Sequence, residues 1–233
     1  QEAINYSFVD HQDLETLQQA EQALPLANPL SSDLDVMRTT LLPGLLNSVS
    51  RNLRRQQERV RLFEAGVAFL QGDTMNEVER VAGVATGKVL PEQWGISSRE
   101  TDFFDLKGDV EDLFSLRGEG GKSVFEAASL PWMHPGACAE VLDGDRVVGW
   151  CGAVHPAVLK KFGIKKTVFA FELDLDALLK RDTPFAKEIS RFPSVRRDIA
   201  VLLPDDVSYA TVESCIRDAA GPYLEDVIVF DLY

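Results

Sequence analysis

Residues 37–57 read MRTTLLPGLLNSVSRNLRRQQ, and this stretch predicts one long amphipathic helix. Thr39 or Thr40 is suited to cap a helix here, and Pro43 falls in the first turn, where its missing N–H does no harm. Apolar side chains at three- and four-residue steps predict one buried stripe on a helix that covers residues 41–57. The members of this stripe are Leu42, Leu45, Leu46, Val49 and Leu53.

The sequence on either side of this helix predicts β-hairpins with a few further helices. Alternating apolar side chains favour strands, and they occur at residues 4–9, 60–69, 81–86, 140–142, 146–150 and 168–173. Asp143-Gly144-Asp145 supplies a hairpin turn, because aspartate-glycine tolerates positive φ angles. Helical periodicity occurs at residues 106–116, 156–162 and 175–179. Together these patterns predict a mixed α/β chain whose strands favour antiparallel pairing.

A second, smaller domain is predicted at the C-terminal end. Residues 184–194 contain Pro184 and Pro193 and are interpreted as a linker between a domain at 1–183 and a domain at 195–233. The pattern then restarts as a strand at 198–203, a helix at 209–219 and a strand at 224–232. This order predicts a partial βαβ unit, as in the first half of a ferredoxin-like domain.

Composition excludes several classes of protein. The 233 residues carry a net charge of −13, from 24 Lys+Arg against 37 Asp+Glu, so a free-standing, non-specific nucleic-acid binder is excluded. The apolar runs are too short to span a bilayer, which excludes a membrane partner. The three cysteines form no CxxC pair and suit a reducing, cytoplasmic compartment. Because the chain opens on Gln1 and goes directly into a strand, we expect it to be part of a longer protein.

No catalytic constellation or metal site is predicted. No GxSxG motif surrounds a serine, and the histidines His11, His134 and His155 do not fall at metal-ligand spacing. His134 and His155 each precede a proline, which favours turn or capping roles. The carboxylate pairs lie on segments that are expected to face solvent.

Two basic clusters stand out on this acidic chain. Five arginines and one acid, Glu58, lie within residues 51–61, and Arg54 and Arg55 sit near the end of the long helix. This cluster is interpreted as a helix end paired with nearby acids, as a subunit interface or as an RNA contact, with the protein contact favoured over RNA. The second cluster can stack on a base and pair with phosphate, or can hold the linker in place. It contains Arg191, Phe192, Arg196 and Arg197.

Seven motifs occur in a fixed order along the chain. They are Glu2-Ala3-Ile4-Asn5-Tyr6-Ser7-Phe8, Asn28-Pro29-Leu30-Ser31-Ser32, residues 37–46, Leu62-Phe63-Glu64-Ala65-Gly66, His134-Pro135-Gly136, residues 149–159, and Arg191-Phe192-Pro193 through Asp198. This ordered set is similar to the β subunit of bacterial phenylalanine–tRNA ligase. Each motif is weak alone, but together they cover nearly the whole chain in the family's order.

The resemblance implies a fold and a function. Residues 1–183 resemble the family's non-catalytic core, which has the α+β fold of class II aminoacyl-tRNA synthetases, an antiparallel sheet with flanking helices. Residues from about 190 resemble the start of its ferredoxin-fold anticodon-binding domain. The complete enzyme charges tRNA(Phe) with phenylalanine, uses ATP and Mg²⁺, and pairs two alpha with two beta subunits. No cofactor, metal or catalytic residue is carried over to this part, and its role is expected to be scaffolding the alpha subunit and positioning tRNA.

The absence of key arginines agrees with a non-catalytic core. A working class II site uses one arginine on a strand at the ATP α-phosphate and a second after a glycine-rich strand. Here no arginine lies between Leu62 and Phe69, and Glu58-Arg59 and Glu79-Arg80 lack preceding glycines. Without these cations the phosphate charge is not stabilised. A free-standing class II enzyme is therefore disfavoured, and the remaining alternative is a stand-alone interaction module with no part in aminoacylation.

The resemblance also assigns roles to the two clusters. The helix at 41–57 corresponds to the element that class II folds use to dimerise. The leucine stripe, Arg54 and Arg55 are therefore expected to pack against the alpha subunit. Arg191, Phe192, Arg196 and Arg197 are expected to contact tRNA.

Overall fold

The computed structural model describes residues 1–72, 75–118, 123–181, 183 and 193–232. The chain divides into two units, residues 1–185 and residues 186–233. Most of the predicted linker at 184–194 lies outside the described residues, so its boundaries stay a prediction. None of the described helices is long and apolar enough to cross a membrane.

The first unit is built on a six-stranded antiparallel sheet. Its strands are β3 (Val60–Gln71), β4 (Met75–Thr86), β5 (Val124–Ala127), β6 (Met133–Asp143), β7 (Arg146–Val154) and β8 (Phe169–Asp174). Their order across the sheet is β3-β4-β8-β7-β6-β5. The hairpin turn between β6 and β7 contains Gly144 at φ 63°, as the Asp-Gly motif predicts. The antiparallel sheet with flanking helices is confirmed.

Helices cover both faces of this sheet, because its central strands are apolar on both sides. On β4, Ala82 and Val84 face the cluster that contains α2 (Leu42–Arg54) and α4 (Pro156–Lys161). Val81 and Ala85 face the other cluster, which contains α3 (Phe103–Ser115) and α5 (Leu175–Leu179). The two faces therefore have separate cores, with the sheet between them.

A small N-terminal layer lies beside α2. It contains α1 (His11–Thr16) and a two-stranded sheet of β1 (Phe8–Val9) and β2 (Val36–Met37). The strand predicted at 4–9 is therefore shorter than expected. Before it, the Ala3 N–H donates to the Phe63 carbonyl at 2.7 Å, which attaches the first residues to the edge strand β3.

The second unit contains the predicted helix but not the predicted strands. The helix is α6 (Tyr209–Ala220), followed by one 3₁₀ turn at Gly221–Tyr223. Residues 198–203 and 224–232 are not in strands, which corrects the prediction for these segments. A strand is stable only beside partner strands, and in a split βαβ unit a third strand separates these two. No such strand occurs among residues 193–232, and none of these residues is buried.

Candidate functional site

A buried polar network holds the start of α2. Glu172 of β8 is 2% exposed, and its carboxylate accepts hydrogen bonds from the Leu41 N–H at 3.0 Å and from the Thr40 hydroxyl. Arg80 of β4 also donates to this carboxylate. The Thr40 hydroxyl in turn accepts from the Leu42 N–H at 3.2 Å. The helix N-terminus is thus capped by a glutamate that lies 131 residues away in sequence, in addition to the threonine that the sequence predicts.

A second buried ion pair fixes the segment just before this cap. Glu64 of β3 is 3% exposed, and it accepts from Arg38 Nη1 at 2.6 Å. Arg38 Nε donates to the Val67 carbonyl at 2.8 Å, and Asn5 Nδ2 donates to Glu64 at 2.6 Å. Sequence reasoning missed both buried pairs. The signal available in the sequence was a glutamate within an apolar strand pattern, Glu64 in one case and Glu172 in the other.

The leucine stripe lies in the chain's own core. Of the seven residues assigned to the subunit interface, four are between 0% and 1% exposed, and they pack against the sheet, α4 and neighbouring segments. These four are Leu42, Leu45, Leu46 and Val49. Leu53 is half-buried, and Arg54 and Arg55 are exposed. In the described fold the four buried side chains are covered by their own chain, and the involvement of α2 in a subunit interface stays a prediction.

The N-terminal segment covers part of the outer side of α2. Asn5 lies against Gly44, where an added Cβ atom would be 2.8 Å from the Asn5 side chain. Asn5 Oδ1 also accepts a hydrogen bond from the Ser48 hydroxyl at 3.1 Å. The neighbours of Asn5 point the other way, because Ile4 is 91% exposed and Tyr6 is 69% exposed. Because Asn5 is anchored to α2, the large apolar side chains of Ile4 and Tyr6 on either side of it stay at the surface.

An aromatic ring and two helices cover the central part of the sheet face that carries α3. The Phe171 ring lies directly over Gly83, where an added Cβ would be 2.4 Å from the ring. Helices α3 and α5 pack on the same face. On the other face, a cavity beside Arg80 and Trp150 has a volume of about 20 Å³, which is room for one water molecule and too small for a nucleotide.

The candidate nucleophiles and bases have structural roles. His134 Nδ1 accepts from the Gly136 N–H at 3.1 Å, and His155 Nδ1 accepts from the Ala157 N–H at 3.1 Å and caps α4. These contacts confirm the predicted turn and capping roles. Burial raises the pKa of the Cys151 thiol to about 12, so this thiol stays protonated near neutral pH. No group of three metal-ligating side chains occurs within the residues that the structure describes.

The predicted tRNA-contacting residues lie in the second unit. Arg191 and Phe192 lie outside the described residues. Arg196 and Arg197 are exposed. Arg196 Nε is 3.4 Å from Asp198 Oδ1 in an exposed pair, and its guanidinium carbon is 5.7 Å from the Phe230 ring centre. An exposed pair of this kind contributes little to stability, so Arg196 is free to exchange Asp198 for another anion.

Comparison with known families gives two matches along the chain. Residues 1–175 match the family described as "Phenylalanyl tRNA synthetase beta chain CLM domain". Residues 190–233 match the "Ferredoxin-fold anticodon binding domain". The two matches leave unmatched only residues 176–189, a stretch that overlaps the predicted linker.

Curated relatives carry the same description. The phenylalanine–tRNA ligase beta subunit of Xanthomonas euvesicatoria is 46% identical over 237 residues, and that of Methylococcus capsulatus is 42% identical over 234 residues. Each alignment covers 100% of this chain and 30% of the relative. The chain therefore spans under a third of the length of these relatives.

A solved structure shares the fold of about three quarters of the chain. A pyrrolysyl-tRNA synthetase from Desulfitobacterium hafniense aligns with a TM-score of 0.53, at 16% identity, over 76% of this chain and 61% of its own. At this identity the likeness concerns the fold alone. The class II synthetase-like architecture that the sequence predicts is confirmed.

Proposed function

Because this chain belongs to the phenylalanyl-tRNA synthetase beta chain family, we propose that it serves as the core of such a subunit in tRNA charging. In this proposal the complete beta subunit assembles with an alpha subunit into a heterotetramer in the cytoplasm. The assembly attaches phenylalanine to tRNA(Phe) with ATP and Mg²⁺. This part of the chain catalyses no step, supports the alpha subunit and helps to position tRNA. The observation that carries the proposal is the ordered match of both families along one chain.

ATP and Mg²⁺ do not fit the residues described here. The α3 face of the sheet is filled by Phe171 and two helices. Arg80, which lies on a central strand, is engaged with Glu172 and lies 3.8 Å from Asp174. An arginine held by two carboxylates has no free charge for a phosphate. We therefore propose that ATP and Mg²⁺ are bound elsewhere in the complete enzyme.

The chain alone is expected to support no phenylalanine-dependent exchange of pyrophosphate into ATP. The reason is that the two strand positions at which a class II site carries its phosphate-binding arginines have none here. Addition of the alpha subunit to the complete beta subunit is expected to give clear exchange and charging of tRNA(Phe). Turnover by the pure chain would exclude the non-catalytic role. A complete beta subunit that binds neither alpha nor tRNA would favour a stand-alone interaction module instead.

We further propose that Arg196 and Arg197 contact tRNA in the complete assembly. Both side chains are exposed, and residues 198–233 otherwise carry eight acids against Arg217. These acids repel phosphate, so the isolated chain is expected to bind tRNA weakly and more weakly as salt rises. Arg191 and Phe192 belong to the same proposed contact.

Replacing Arg196 and Arg197 by alanine in the complete assembly is expected to raise KM for tRNA roughly tenfold, with a shallower salt dependence, because two phosphate contacts are lost. Phenylalanine activation is expected to stay unchanged. Steady-state charging at several salt concentrations measures both effects. If KM stays the same while the melting temperature falls, the arginines are structural, and Arg196 serves Asp198 rather than RNA.

A further inference from the structure

A strongly basic surface lies where the end of α2 meets the segment after α4. An added Cβ on Gly163 would be 3.3 Å from Arg54 Nη2, and the Ser50 hydroxyl donates to the Phe162 carbonyl at 2.8 Å. Lys166 Nζ lies 3.4 Å from the Glu58 carbonyl, to which it donates. These contacts join residues 51–59 and residues 160–166 into one continuous surface, which we call the basic surface.

The charge of this surface comes from two groups of exposed side chains. Arg51, Arg54 and Arg55 are at the end of α2. Lys160, Lys161, Lys165 and Lys166 surround the buried side chains of Phe162 and Ile164. The two segments contain one acid, Glu58. Sequence reasoning noted the arginines but missed the lysines, although the motif KKFGIKK at 160–166 was the available signal.

These seven cations differ from six other arginines of the first unit in having no carboxylate partner among the described residues. Arg38, Arg61, Arg80, Arg99, Arg117 and Arg146 each lie within salt-bridge distance of an aspartate or glutamate. Within the described part of the chain, no carboxylate oxygen is within 4.0 Å of a charged nitrogen of the seven cations of the basic surface. Their charge is therefore not neutralised by a direct ion pair with any described residue, although the chain as a whole carries −13.

The composition of the basic surface favours phosphate over protein as its partner. Protein interfaces have an apolar centre and are depleted in lysine. Here the apolar members of residues 160–166 are buried, which leaves four lysines and glycine at the surface. Lysines on flexible stems are point-charge ligands that suit a row of phosphates, and the strength of such contacts depends on salt.

We infer that the basic surface binds the phosphate backbone of a structured RNA, and we identify that RNA with the tRNA of the proposed function, on which this identification rests. The surface gives Arg54 and Arg55 a role different from the subunit contact that the sequence predicts. It also provides the chain with an RNA contact in the first unit, separate from Arg196 and Arg197 in the second.

The test replaces Lys160, Lys161, Lys165 and Lys166 by glutamine in the complete beta subunit assembled with the alpha subunit. The control replaces the same four lysines by arginine and so keeps the charge. Binding of tRNA(Phe) is measured as Kd at several salt concentrations. The glutamine variant is expected to raise Kd about tenfold or more at low salt and to lower the slope of log Kd against log salt by about two or more. The arginine variant is expected to match the original protein.

Three outcomes are distinguishable. Unchanged Kd and slope in the glutamine variant would overturn the inference. Loss of alpha-subunit binding with an unchanged Kd would also overturn it, and would assign the surface to an acidic protein partner. Because the binding measurement needs no phenylalanine and no ATP, a failure of tRNA charging by the original complex would contradict the proposed function without affecting this result.

Discussion

Replacing Leu46 by aspartate is expected to unfold the isolated chain, even in the absence of any partner. Leu46 is 0% exposed and packs in the core between α2 and the sheet. Truncation of a leucine at such a site costs about 2–5 kcal/mol, and an unpaired carboxylate at the same depth adds to this loss. A domain is typically stable by about 5–15 kcal/mol, so little or no folded chain should remain. Far-ultraviolet circular dichroism and urea unfolding of the isolated chain measure the effect.

Tyr6→Asp is the matched control at the surface. Tyr6 is 69% exposed beside the anchored Asn5, so its replacement is expected to change stability by no more than about 0.5 kcal/mol. If the Leu46→Asp chain folded normally and lost only alpha binding, the stripe would belong to the subunit interface after all.

The second large loss of stability is expected from Glu172→Gln. The Glu172 carboxylate receives the Leu41 N–H, the Thr40 hydroxyl and Arg80 at a site that is 2% exposed. Glutamine keeps one accepting oxygen, but it removes the negative charge that faces Arg80 and the helix N-terminus and places an NH₂ group among hydrogen-bond donors, at a cost of about 3–5 kcal/mol. For a chain of this size the melting temperature should fall by about 10 °C. Thermal unfolding of the chain is the measurement.

An exposed carboxylate gives the comparison for this variant. Asp176 Oδ2 is 3.0 Å from Arg146 Nη1, but the two side chains are 62% and 50% exposed. Asp176→Asn should therefore cost less than about 1 kcal/mol. Equal losses from the two variants would mean that the buried position of Glu172 gives its contacts no additional strength.

Local patterns predicted the elements of the first unit well. The periodicity of residues 42–53 identified α2 and its apolar face, and Asp143-Gly144 identified the turn between β6 and β7. Periodicity states which side of a helix is apolar, but it does not state what covers that side. For this reason the subunit contact of the leucine stripe was predicted from the resemblance to helices that dimerise. In the structure these leucines pack against the sheet of their own chain.

Contacts between residues that are far apart in the sequence could not be predicted from local patterns. The capping of α2 by Glu172 joins residues 131 positions apart, and the pair Arg38–Glu64 depends on the same tertiary arrangement. The Lys160–Lys166 group becomes part of the basic surface only because Phe162 packs beside Ser50. In the second unit, apolar alternation at 198–203 and 224–232 indicated strands, but alternation cannot supply the neighbouring strand that each one needs.

The strand order has a consequence for the path of folding. β3 and β4 form one local hairpin, and β5, β6 and β7 form a local meander, but β8 pairs with β4 on one side and β7 on the other. Both local pieces therefore have an open edge until residues 169–174 have left the ribosome. Pairing of β8 with β7 closes only a short connection, but pairing of β8 with β4 closes the long loop from residue 87 to residue 168, and we expect this pairing to be the slow step of folding for this unit. The same step delivers Glu172 to the start of α2, so the sheet and the helix are completed together.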